Sequence, residues 1–91
     1  MITMKIESTK GNTRGTEAEC VRWLEEYQPS HASIVIAGYT ATVDSRYDGW
    51  ADGVRAAIVE ITEEADIDGG EENWQHYLST DALIELIVNQ N

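Results

Sequence analysis

The side chains able to do chemistry are few and scattered. The chain has one cysteine, Cys20, and two histidines, His31 and His76. A nucleophilic thiol needs a nearby cation or a helix N-terminus to lower its pKa. Cys20 falls beyond the first turn of an expected helix, and Arg22, two residues on, points in another direction. A buried small filler is the expected role of such a cysteine. One cysteine and two unpaired histidines cannot make a usual structural zinc set. A Cys–His dyad would have to form in space, and nothing local supports one. Asp66 to Asn73 invites a calcium reading, with acids at loop positions one and three. Glu71 stands where the loop needs glycine and Tyr77 where it needs a bidentate glutamate, so the pattern fails. No phosphate-cradling glycine motif occurs, and no carboxylate pair stands apart as an acid–base couple. The sequence assigns no catalytic residue, metal ligand or cofactor, and the expectation is a protein that is not an enzyme.

The remaining chemical feature is charge. Seventeen acids oppose six bases among 91 residues, for a formal charge of -11. All six bases, Lys5, Lys10, Arg14, Arg22, Arg46 and Arg55, lie in residues 1–55 with eight acids. Residues 56–91 hold nine acids and no Lys or Arg. Glu60, Glu63 and Glu64 lie on an expected helix, and Asp66, Asp68, Glu71 and Glu72 follow in a loop. Trp74 and Tyr77 stand just beyond them, as aromatic anchors of the kind interfaces favour. Like charges four apart destabilise a helix slightly. The cluster therefore serves either solubility or binding. These nine residues, from Glu60 to Tyr77, are the candidate partner-binding set.

The elements that must position them follow from periodicity. Ile2, Met4 and Ile6 alternate with polar residues, predicting a strand. Ser8 to Gly15 reads as a loop. Thr16-Glu17-Ala18-Glu19 is a capping box opening a helix that stops before Pro29. Ala18, Val21, Leu24 and Tyr27 form its predicted inner stripe, with Cys20 and Trp23 flanking. Residues 33–37 form a short apolar strand and 39–43 an alternating one. Gly38 between them marks a tight hairpin, the preferred reading, or a bulge in one long strand. Trp50, Val54, Ala57, Ile58, Ile61 and Ala65 recur at helical spacing, with Asp48 as the expected cap and an end near Asp66. A last helix runs from Ala82 to about Gln90, capped by Ser79, Thr80 or Asp81. Leu83, Ile84, Ile87 and Val88 are expected to pack, with Leu86 harder to place. That helix is apolar on more than one side, so it is either deeply buried or shared with a partner, a homodimer included.

The predicted fold is one α+β domain over residues 1–91. A sheet of about three strands, mixed or antiparallel, packs against two or three helices in the order β-α-β-β-α-α. No apolar run reaches the roughly 18–20 residues of a membrane span. The expected location is the cytoplasm, since no signal peptide is evident and one cysteine makes no disulfide scaffold. Direct binding to nucleic acid or to an anionic membrane is disfavoured, because no basic cluster exists.

The expected partner is therefore a basic protein surface, that of a nucleic-acid-binding protein or complex. Carboxylates on a rigid helix can stand in for a phosphate backbone and compete for the same Lys and Arg. In size, acidity and charge clustering the chain is similar to small phage inhibitors that disarm host restriction or CRISPR complexes, and it would then act in the host cytoplasm. The likeness rests on no motif. The alternative is an acidic structural or accessory domain, of a halophile or a phage, whose charge serves solubility alone.

Overall fold

The computed structural model describes residues 3–44, 49–67 and 79–90. It contains strands β1 (Met4–Ser8), β2 (Gly11–Gly15), β3 (Ala32–Ile36) and β4 (Tyr39–Val43). The helices among the described residues are α1 (Glu17–Tyr27), α2 (Trp50–Glu64) and α3 (Thr80–Gln90). The strands form one sheet, ordered β2-β1-β3-β4, and every neighbouring pair is antiparallel. The protein is a small α+β fold, as expected, with four strands instead of about three.

The extra strand is β2, in the segment read as a loop. Ser8 pairs with Gly11 across a two-residue turn, and the Ser8 hydroxyl both donates to the Gly11 carbonyl (2.6 Å) and accepts from the Lys10 N–H (3.1 Å). Serine closes the turn with its side chain, a device that leaves little trace in composition. Being an edge strand paired only with β1, β2 needs no apolar run. By register Gly11, Thr13 and Gly15 lie on the core face, where Gly15 is buried, Thr13 half-buried and Gly11 exposed. The β3–β4 connection is the preferred tight hairpin. Ile36 pairs with Tyr39, and the two central residues, Ala37 (φ 50) and Gly38 (φ 86), both lie at positive φ, as a type I′ turn requires.

Side chains alternate across the sheet. Met4, Ile6, Ala32, Ile34, Ile36, Ala41 and Val43 are buried on one face, and cross-strand register stacks Ile6 on Ile34 and Ile34 on Ala41. The helices cover that face. α1 packs on β1 and β2, α2 on β3 and β4, and α3 on β3, while α2 also touches both other helices. Leu24, Val54, Ile58, Ile61, Leu83, Ile84 and Ile87 join the strand residues in one continuous core. The opposite face, with Lys5, Glu7, Arg14, Val35, Thr40 and Thr42, is covered by no described element.

Each helix departs from its predicted stripe in one respect. The Thr16 capping box forms in full, and α1 ends on Gln28 in a left-handed conformation just before Pro29. Its inner line, however, is Cys20 and Leu24. Ala18 and Tyr27 face solvent, and Val21 and Trp23 are half-buried. The stripe is rotated because the small Cys20 lets α1 sit close to the sheet, whereas Tyr27 stacks outside on Trp23 at 4.8 Å between ring centroids. Helix α2 starts on Gly49 with no side-chain cap, in place of the expected Asp48, and its buried set adds Gly53 and Thr62. In α3, Ser79 is the cap, its hydroxyl accepting from the Ala82 N–H at 3.1 Å. Val88, expected in the core, is 44% exposed, because Leu83, Ile84 and Ile87 fill the stripe that faces α2 and β3. No described helix is long and apolar enough to cross a membrane.

Candidate functional site

The nine candidate residues divide between described and undescribed segments. Glu60, Glu63 and Glu64 lie on the outer face of α2 and are exposed, as is Asp66, which ends the helix at φ 55. Their outward placement follows from the buried line Val54, Ala57, Ile58, Ile61, which fixes the rotation of α2. Asp68, Glu71, Glu72, Trp74 and Tyr77 lie outside the described residues.

The fold enlarges this acidic surface with residues that a reading along the chain left out. Helix α1 adds Glu17, Glu19, Glu25 and Glu26, helix α2 adds Asp52, and helix α3 adds Asp81 and Glu85. Apart from the half-buried Glu17, all are exposed. Against the ten acids of the three helices stand two bases, Arg22 and Arg55. Arg55 is also engaged, its guanidinium donating to the Thr80 hydroxyl at 3.1 Å and tying α2 to α3. The sheet and its β1–β2 turn carry the reverse balance, with Lys5, Lys10 and Arg14 against Glu7 alone. Charge is thus sorted by layer. The acids of α1 were masked in the sequence because, counted along residues 1–55, they are offset by Lys5, Lys10 and Arg14, bases that belong to the sheet and its turn. The amphipathic phase of α1 is the signal that separates them.

Helix α1 also brings an aromatic pair to the acidic layer. Trp23 and Tyr27 are four apart and meet at an interplanar angle of 41°, with Tyr27 47% exposed beside Glu26. Glu19 itself is structural as well as acidic. Its carboxylate accepts from the Thr16 N–H at 2.9 Å, and this backbone bond, with the Thr16 hydroxyl, holds its pKa below the ordinary value.

Cys20 occupies the core instead of flanking it. It is fully buried, and its thiol lies 3.7 Å from the Gly15 carbonyl and 3.8 Å from that of Met4. Burial, reinforced by the charge of Glu19, pushes its pKa up to about 11. The thiol is therefore protonated at neutral pH, the opposite of what a nucleophile requires. No described imidazole is bonded to it. His31 is exposed in the connection to β3, where its carbonyl accepts from the Thr9 N–H, and His76 lies outside the described residues. Among the described residues, no three His, Cys, Asp or Glu side chains are grouped to hold a metal ion.

The geometry thus provides an acidic, exposed helical surface on one side and an open polar sheet on the other. No family model matches the chain, and neither the curated proteins nor the solved structures give a match.

Proposed function

We propose that the protein is a non-enzymatic binding protein whose helical layer occupies the basic, nucleic-acid-binding surface of a partner protein. The observation that carries this reading is the sorting of charge by layer. Ten acids on three packed helices present carboxylates on a rigid support, as a phosphate backbone presents its oxygens. Such a surface steers a basic partner toward it and competes with nucleic acid for the same Lys and Arg. Tyr27, and Trp74 and Tyr77 from the original set, supply the aromatic anchors that electrostatics alone lacks. An inhibitor of a host restriction or CRISPR complex, acting in the cytoplasm as a nucleic-acid mimic, is the specific form of this reading.

The test is capture from lysate on the immobilised chain, with elution by duplex DNA and separately by a salt gradient. A nucleic-acid-binding protein displaced by DNA supports the proposal. Charge reversal at Glu25, Glu60 and Glu64 to Lys should weaken that capture by at least about a hundredfold, since charge-assisted contacts contribute about 1.5–3 kcal/mol each, and leave the circular dichroism unchanged. Undiminished capture by the triple variant, or none by the native chain, refutes it. The second reading, charge for solubility, is favoured by the spread of acids over all three helices. It predicts no partner, and a fall in solubility of the triple variant as its formal charge drops from -11 to about -5.

A further inference from the structure

We propose a carboxylate-binding site on the open face of the sheet, on the side of the molecule away from the acidic helices. The register of β1 and β2 sets Lys5 directly opposite Arg14, on the uncovered face. Like charges opposite one another in a ladder destabilise it. In a chain with only six bases, placing two of them so is a costly arrangement unless an anion joins them. A recess of about 210 Å³ lies at this point, with Lys5, Arg14, Ala37 and Gly38 in its lining beside the apolar Met4, Val35 and Ile36. Lys5 has one acidic neighbour, Glu7, at 3.0 Å, whereas the Arg14 side chain has no hydrogen bond or ion pair among the described residues. The backbone N–H groups of Ala37 and Gly38, at the recess wall, likewise have no described partner.

The chemistry of the recess selects its ligand. Lys5 and Arg14 less Glu7 leave a single local positive charge, which matches a monoanion better than a phosphoryl dianion. A guanidinium fork fits the planar carboxylate bidentately. Among the acids of the helical layer Glu19 comes nearest, its carboxylate lying against Gly15, the neighbour of Arg14 in β2, and it opposes an anion there, whereas acids farther away than the screening length of about 8 Å at physiological salt oppose binding little. The site shares no residue with the acidic layer, so it stands or falls apart from the function proposed above.

The test is a titration of the full ¹⁵N-labelled chain, followed by amide shifts, with acetate, N-acetyl-dialanine, N-acetyl-dialanine amide and inorganic phosphate at constant ionic strength. Saturable shifts at residues 5, 14 and 35–38 are expected with the two carboxylates and not with the amide. Tighter binding of the peptide acid identifies a peptide C-terminus as the ligand, and equal binding a small free acid. Arg14→Gln should weaken binding about tenfold or more, and Arg14→Lys should restore only part of it, because lysine keeps the charge and loses the fork. The absence of saturable shifts up to tens of millimolar overturns the site. Tighter binding of phosphate, or full binding by R14Q, overturns the assignment of its ligand and of its recognition residue.

Discussion

Gly53 sets how closely α2, the helix bearing Glu60 and Glu64, lies on the sheet. A Cβ at this position would stand 2.5 Å from the Asp44 carbonyl oxygen and 3.4 Å from Val43 Cγ1. Two effects compete in Gly53→Ala. Alanine is better than glycine within a helix by about 1 kcal/mol. Against it, the carbonyl is backbone at the end of β4 and cannot swing aside. To reach an ordinary contact of 3.4 Å, helix and strand must part by about 0.9 Å. That movement would loosen Val54, Ala57, Ile58 and Ile61 together, all buried on the same helix. Overpacking of this kind costs about 1–3 kcal/mol and occasionally more, and the shared displacement places Gly53 at the upper end. The net expectation is a destabilisation of about 1–2 kcal/mol. In urea this moves the midpoint down by about 1 M, and it lowers Tm by about 4–16 °C at this chain length. Glu60→Ala and Glu60→Gly, at an exposed position of α2, provide the scale, with glycine the worse by about 1 kcal/mol. If G53A is as stable as the native chain while the Glu60 pair shows that difference, close approach at Gly53 does not position α2.

Four further outcomes follow from local geometry. Ala37 holds a left-handed conformation without being glycine, so Ala37→Asn or Ala37→Gly should stabilise the hairpin by about 0.5–1 kcal/mol, measured by urea midpoint. Thr16→Ala removes the hydroxyl that accepts from the Glu19 N–H and should cost about 1 kcal/mol. The Glu19 carboxylate has a lowered folded pKa. Its contribution is therefore complete above the ordinary 4.5, falls as acid protonates it, and should vanish from the pH profile of Glu19→Gln. Cys20 has the opposite sign. Its folded pKa near 11 lies above the ordinary 9.0, so its contribution is complete below pH 9 and is lost between about 9 and 11. Alkylation at pH 8 should track the opening rate of the fold, and modification as fast as that of a free thiol would refute burial as the cause.

What could be read from the chain divides by how local its cause is. The Thr16–Glu19 box and the stop before Pro29 are written in adjacent residues, and both formed as predicted. The period-two strands and the Gly38 hairpin are equally local. Strand β2 was not legible, because an edge strand with two glycines and a serine-closed turn resembles a loop by every compositional measure. The phase of α1 was missed for a related reason. Cysteine and leucine four apart outweigh alanine and tyrosine only once a sheet exists for Cys20 to approach.

The charge shows the same limit more sharply, and it bears on function. Along the chain, acid concentrates after residue 55, and Glu60, Glu63 and Glu64 look like an isolated cluster. In the fold, β1 and β2 take Lys5, Lys10 and Arg14 to the sheet, and α1 takes its four glutamates to the helical side. Strand β2 is the hinge of this separation. Because it reverses the chain before α1, it runs in the same sense as β3 and places α1 on the core face, beside α2. A three-stranded sheet without β2 would lack Arg14 opposite Lys5 and the strand on which α1 rests. The missed strand therefore underlies both the broad acidic surface and the small basic recess, and each can be altered by substitutions that leave the other untouched.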